Sequence, residues 1–140
     1  MLHLQLVTLS GVKFDGDVYE VVLPTLDGEI GVLQNHMPLI SVATAGAVVV
    51  KKNRADADNQ KEFFAISGGV IEIDHNQLKV IVDEADHADN INEAEAEAAH
   101  ERAHALKAEA KDQVSLDHAQ QMIDRSSARL EVAKLKRRRR

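Results

Sequence analysis

Phe63-Phe64-Ala65-Ile66-Ser67-Gly68-Gly69-Val70-Ile71-Glu72-Ile73-Asp74-His75-Asn76-Gln77-Leu78-Lys79-Val80-Ile81-Val82 is a set of three short apolar runs broken by turn-forming residues. Residues 63–66 read as one strand, Ser67-Gly68-Gly69 as a tight connection, and residues 70–73 as the next strand. Asp74-His75-Asn76 then turns the chain into a third strand over residues 78–82. The same grammar extends upstream. Leu2, Leu4 and Leu6 share one face of a period-two strand. Residues 18–23 form an apolar run stopped by Pro24 and the turn Asp27-Gly28, and residues 30–33, 39–43 and 47–51 continue the series. Residues 53–60 are polar and predict an exposed loop tip. Short strands with frequent turns and no helices between them specify a sandwich or barrel rather than βαβ units.

All seven Gly and both Pro lie before position 71, and the period then changes to that of a helix. Asn90 is a candidate N-cap with Glu93 three residues on, the arrangement of a capping box. Residues 93–110 are dense in Ala, Glu and Lys, which are strong helix formers, and Ala99, Ala103, Leu106 and Ala110 fall on one face. Ser115 is the candidate cap of a second helix, along which Leu116, Ala119, Ile123, Ser126, Leu130 and Ala133 alternate spacings of three and four. The expected layout is an N-terminal antiparallel β-sandwich over residues 1–84, a link over 85–90, and a C-terminal antiparallel two-helix hairpin over 91–140 that turns near residues 112–115. Its Ala-rich seam permits close approach but buries little area, so at about 25 cal/mol per Å² the pair is weakly held. Two behaviours fit such a hairpin: permanent docking on the sandwich, or detachment as a mobile arm.

Composition narrows the function. The 140 residues are 44% hydrophobic, with no Trp, one Tyr and three Phe. The core must be Val, Ile, Leu and Ala, and stacking on single-stranded nucleic acid is nearly unavailable. With no Cys there is no disulfide, thiolate metal site or cysteine nucleophile. The first six residues alternate without a basic leader, and no apolar run reaches the length of a membrane span, so membrane association is expected only through partners. The net charge of −6 hides an asymmetry: setting aside the six positive charges of Lys134, Lys136 and the arginines at 137–140 leaves about −12 on residues 1–133. One basic patch on an acidic body without aromatics makes a poor nucleic-acid binder.

Asp27-Gly28-Glu29-Ile30-Gly31-Val32, followed by Asn35-His36-Met37-Pro38-Leu39-Ile40, resembles the "G-E-[IL]-G … [GN]-H-x-P-L-[IL]" block of bacterial F-type ATP synthase epsilon subunits. Residues 64–73 resemble that family's "S-G-G-[VIL]-x-E" strand pair, and the β-then-α layout agrees across nearly the whole chain. The resemblance implies a non-catalytic central-stalk (rotor) subunit of the proton-translocating synthase, coupling the gamma subunit to the c-ring. It would be peripheral at the cytoplasmic face of the bacterial inner membrane, reaching the membrane only through the complex. The resemblance places Asp27, Gly28 and Glu29 at the c-ring, with Glu29 as the ring-facing acid, and His36 and Ser67 on the gamma side. It also implies compact and extended hairpin states, the extended one entering the alpha/beta catalytic head to restrain ATP hydrolysis. Arg125, Arg129, Lys134 and Lys136, with the terminal arginines, are then the candidates to face an acidic loop of the beta subunit. Some members bind ATP through "[IL]-D-x-x-R-A". Here Ile91-Asn92-Glu93-Ala94-Glu95-Ala96 has Asn for Asp and Glu for Arg, and a carboxylate repels phosphate, so no nucleotide or other cofactor is expected. Without the resemblance, Gly28 and Gly31 read as turn formers and His36 as a loop histidine.

One motif competes. His100-Glu101-Arg102-Ala103-His104 fits the zinc-protease signature, in which two His one helical turn apart bind zinc and the Glu activates its water. The alternative function is therefore a zinc-dependent hydrolase. A two-helix hairpin with an Ala seam cannot enclose a cleft or readily supply a third ligand, so no catalytic metal is expected, and transition-metal uptake there would be adventitious.

Overall fold

Leu2, Leu4 and Leu6 of β1 (Leu2–Thr8), Val21 and Leu23 of β3 (Glu20–Thr25), and Leu78, Val80 and Val82 of β7 (Gln77–Val82) are all buried, with the residues between them turned outward. Period-two alternation thus sets the inner face, as a pleated strand requires. The computed structural model describes residues 1–138. Strands β2 (Gly11–Val18), β4 (Gly28–Leu33), β5 (Leu39–Lys51), β6 (Glu62–Asp74) and β8 (Ala85–His87) complete the sheet. The hydrogen-bonded order is β2-β1-β7-β6-β5-β3-β4, with β8 also on β6. Neighbours are antiparallel except β1 and β7, which run parallel. Leu4 and Val18 from one end of this path share a single core with Leu23 and Val32 from the other. The sheet must therefore fold over on itself, giving the expected sandwich. β6 marks the crossing, because residues 69–74 pair with β7 while residues 64–66 pair with β8.

Several local expectations shift. Residues 39–51 and 62–74 are one long strand each rather than two. Ser67-Gly68-Gly69 does not turn the chain. Gly68 takes φ +106° inside β6, and a Cβ on Gly69 would meet the Ile81 carbonyl oxygen at 2.0 Å. Close approach of two backbones and a tight turn both call for Gly, so the sequence does not distinguish them. The Asp74-His75-Asn76 turn forms as expected, with His75 and Asn76 both at positive φ, as a two-residue hairpin turn needs. Residues 11–18 form an unexpected edge strand, β2. Its charges conceal it, yet they hold it: His3 on β1 hydrogen-bonds Asp17 at 2.9 Å and Asp15 at 2.6 Å. These bonds, Asp17 first, raise the His3 pKa. The clasp contributes fully below the ordinary histidine pKa and is lost as pH rises through the raised one.

Helices α1 (Glu93–Glu109) and α2 (Gln113–Arg138) form the expected hairpin, but their caps move. Asn92, not Asn90, caps α1 by accepting the Glu95 N–H at 3.0 Å, because residues 88–90 are taken up in a 3-10 turn. Asp112 precedes α2 and accepts the Ser115 N–H at 2.7 Å, so Ser115 is capped rather than capping. That bond holds the Asp112 carboxyl below its usual range. Residues 85–90 are not a bare link, since they form β8 and the 3-10 turn with Ala88 buried. The stripe Ala119, Ile123, Ser126, Leu130 and Ala133 is buried as expected, and Leu116 is half-buried. A second, unanticipated set, Ala128, Val132 and Leu135, packs on Phe63, Ala65 and Ala88. α1 buries only Ala96 and Ala103, and Leu106, expected on its seam, is 44% exposed. The hairpin rests on the sandwich through α2, with α1 lying on α2.

Candidate functional site

Asp27, Gly28 and Glu29 are exposed at the β3–β4 tip. The Thr25 hydroxyl accepts the Asp27 N–H at 3.3 Å and donates to the Gly28 carbonyl at 2.6 Å. Gly28 sits at φ +110°, a conformation costly for any side chain. The β1–β2 tip repeats the construction: Thr8 accepts from Ser10 and donates to the Gly11 carbonyl, with Gly11 at φ +129°. Thr8-Leu9-Ser10-Gly11 and Thr25-Leu26-Asp27-Gly28 are thus twin turns, each leaving a leucine in solvent. This repeat is legible in the sequence, though strand patterning passes over it. Glu29 also acts on the helical arm. The Glu131 carboxyl of α2 is held above its usual range, mainly by burial and secondarily by the Glu29 charge.

His36 is half-buried, its ring N–H donating to the Met37 carbonyl at 2.7 Å. Its loop is tied to the β6–β7 turn, where the Asn35 N–H donates to the Asn76 side chain at 2.6 Å. Ser67 is internally engaged: its hydroxyl accepts the Glu84 N–H at 3.0 Å and its own N–H donates to the Glu84 carbonyl at 3.2 Å, bridging the break between β7 and β8. The structure does not bring His36 and Ser67 together. Ser67 lies seven residues of β6 from Asp74, roughly 23 Å of extended strand. Between them lies a face that sequence reasoning missed. Val42, Val70 and Ile81 are in register across β5, β6 and β7, all turned to solvent. Ile40, on the same side of β5, is 77% exposed, and Met37 nearby is exposed as well. The signal was present: residues 39–42 and 80–82 are apolar on both faces of their strands, which a sheet with one wetted face does not need.

Four of the cations of α2 are already occupied. Arg125 pairs with Glu84, Arg129 faces Asp86 at 3.5 Å, Lys136 meets Asp89 at 2.8 Å, and Arg137 meets Glu93 at 2.9 Å. Lys134 is exposed and has no ion pair among the described residues. Arg139 and Arg140 lie outside the described residues. An acidic strip over residues 84–93 therefore receives the basic side of α2. Pairs this exposed contribute about 0–1 kcal/mol each, enough together to bias docking without making it permanent.

His100 and His104 approach each other, Nε2 to Nε2, at 3.1 Å. Among the described residues no group of three or more His, Cys, Asp or Glu side chains is arranged to hold a metal, so the hydrolase alternative lacks its third ligand. In the segment 91–96, Asn92 caps the helix, and Glu93 and Glu95 occupy the first turn. Carboxylates stand where a phosphate would otherwise be favoured by the helix dipole.

A family model described as "ATP synthase, Delta/Epsilon chain, beta-sandwich domain" matches residues 1–88. Proteins called ATP synthase epsilon chain are similar along nearly the whole length. The one from a Sulfurihydrogenibium species is 34% identical over 97% of this chain and 99% of its own. That of Halalkalibacterium halodurans is 33% identical over 94% and 96%. The chain belongs to the ATP synthase epsilon chain family. It is accordingly a non-catalytic subunit of the synthase. The family's fold is recovered in distant structures: a chain of the Euglena gracilis mitochondrial ATP synthase (OSCP/F1/c-ring in rotational state 1) aligns with TM-score 0.79 at 21% identity, over 95% of this chain and 81% of that one. A chain of the Tetrahymena thermophila mitochondrial ATP synthase central stalk and c-ring aligns with TM-score 0.60 at 15% identity, over 96% of each. No helix among the described residues is long and apolar enough to cross a membrane.

Proposed function

We propose that this epsilon-family chain is a rotor part, its sandwich joining the gamma subunit to the c-ring and its hairpin restraining ATP hydrolysis. The exposed apolar face of Ile40, Val42, Val70 and Ile81 carries this reading. A contiguous patch of this kind on a folded sheet marks a partner surface, and gamma is the partner assigned to it, with His36 and Ser67 at its two ends. The Asp27, Gly28 and Glu29 tip presents two carboxylates and is stiffened by Thr25, which suits polar loops of the ring. The Euglena and Tetrahymena assemblies both include a c-ring, in keeping with that assignment. The complex would place the chain peripherally at the cytoplasmic face of the inner membrane. For the brake, Arg125, Arg129 and Lys136 exchange the strip at Glu84, Asp86 and Asp89 for an acidic loop of the beta subunit, so no cation is left unpaired, and Lys134 is available from the start. Nucleotide sensing has no part in this reading.

Val42→Asp tests the gamma surface. Residue 42 is 50% exposed, so the melting temperature of the free chain should stay within about 3 °C of the parent, a cost below roughly 0.5 kcal/mol. Capture of gamma should weaken at least about ten-fold, because the carboxylate becomes buried and unpaired in the complex. Glu29→Arg should leave gamma capture intact and weaken retention of the ring. Normal gamma capture by Val42→Asp would remove the apolar face from the proposal.

A further inference from the structure

We propose that His100 and His104 form a two-imidazole site for a late first-row dication (Zn²⁺, Ni²⁺ or Cu²⁺) and that the bound ion fastens α1 to α2. The site is independent of the rotor reading and is not a hydrolase centre. Its basis is a hydrogen-bond chain in which each proton can be assigned. Ser126 on α2 is buried, and its hydroxyl donates its one proton to the Ile123 carbonyl at 3.0 Å. Ser126 can therefore only accept from His100, whose Nδ1 lies 2.9 Å away. This fixes His100 as the Nδ1–H tautomer and leaves the Nε2 lone pair directed at His104, 3.1 Å off. His104 Nε2–H is then the donor of that bond in the ion-free chain; being exposed, His104 can shift its proton to Nδ1 and offer Nε2 to an ion as well.

Two imidazole nitrogens 3.1 Å apart are a chelating pair. With metal–nitrogen bonds of about 2.0–2.1 Å they subtend about 100° at the ion, between tetrahedral and octahedral geometry. Water completes the coordination. Glu97 and Glu101 line the same open groove as His100 and favour a dication through their charge. Imidazole donors select the late first-row ions over Mg²⁺ and Ca²⁺, with Cu²⁺ tightest. The Ser126 contact is what a metal-bound histidine uses on its far nitrogen to fix its ring. Here that partner belongs to the other helix, so the ring orientation that binds the ion is the one that reaches across the seam. By linkage, the ion stabilises the closed hairpin by the same factor that closing improves its binding.

The test uses the full chain without an affinity tag. Calorimetric titration with Ni²⁺, Cu²⁺ and Zn²⁺ should give one ion per chain, Cu²⁺ tightest, and no uptake of Mg²⁺. His104→Ala alters only an exposed residue and should abolish that binding, while His118→Ala should leave it intact. Ser126→Ala should weaken the ion about ten-fold or more and remove ion-induced protection of α1 amides in hydrogen exchange. Equal affinity in the parent and His104→Ala overturns the site. Equal affinity and equal protection in Ser126→Ala overturn the fastening.

Discussion

Gly69→Ala should destabilise the sandwich by roughly 3 kcal/mol or more, a large loss from one methyl group. The added Cβ would stand 2.0 Å from the Ile81 oxygen and 2.9 Å from both the Ile81 carbonyl carbon and the Val82 Cα. All three are backbone atoms of β7, so no side chain can rotate aside, and β7 must move. β7 is paired to β1, and together these strands bring Leu2, Leu4, Leu6, Leu78 and Val80 to the core. Displacing β7 therefore loosens much of one layer. The melting temperature should fall by about 12 °C or more. Gly31→Ala is the control, since nothing lies within 4 Å of its added carbon, and it should be close to neutral. A Gly69→Ala chain that melts with the Gly31→Ala chain would show that the β6–β7 approach is looser than described.

Ending the chain after Asn90 should leave a folded sandwich and raise ATP hydrolysis by the assembled complex about five-fold or more, the scale of an ordinary coupling energy. Among the described residues, none of the main core lies beyond Ala85, so the sandwich does not need the hairpin to bury its interior. It would lose the cover that Ala128, Val132 and Leu135 give to Phe63, Ala65 and Ala88, and the ion pairs that Glu84, Asp86 and Asp89 make with α2. The position of the cut matters. Ending after Asp86 would remove His87, which packs edge-on against Phe64 and lies 3.3 Å from Glu62, and would damage the fold along with the brake. Retained gamma capture with unchanged hydrolysis would mean that the hairpin restrains nothing.

Local pattern carried the layout a long way. Alternation in β1, β3 and β7, the helical spacing past residue 90 and the positive-φ turn at His75 and Asn76 each depend on residues a few positions apart, where propensity and period act directly. The tip at Asp27, Gly28 and Glu29 was legible for the same reason, because Thr25 and Gly28 build it from neighbouring atoms. β2 was not, since its burial is poor and its hold comes from His3 on another strand. Ser67-Gly68-Gly69 was misread because the demand for glycine at position 69 comes from Ile81, twelve residues away, through the pairing of β6 with β7.

The division follows from what a periodic pattern can report. It shows which side of an element is apolar, but not what that side will meet. Sequence thus established two structural halves, the buried side of most strands and the α1-facing stripe of α2. Packing alone settled that α2 also rests on Phe63 and Ala65, that its cations rest on Glu84, Asp86, Asp89 and Glu93, and that Ile40, Val42, Val70 and Ile81 remain uncovered. Those contacts join residues distant along the chain, and they arise only once the folded sheet has placed them side by side.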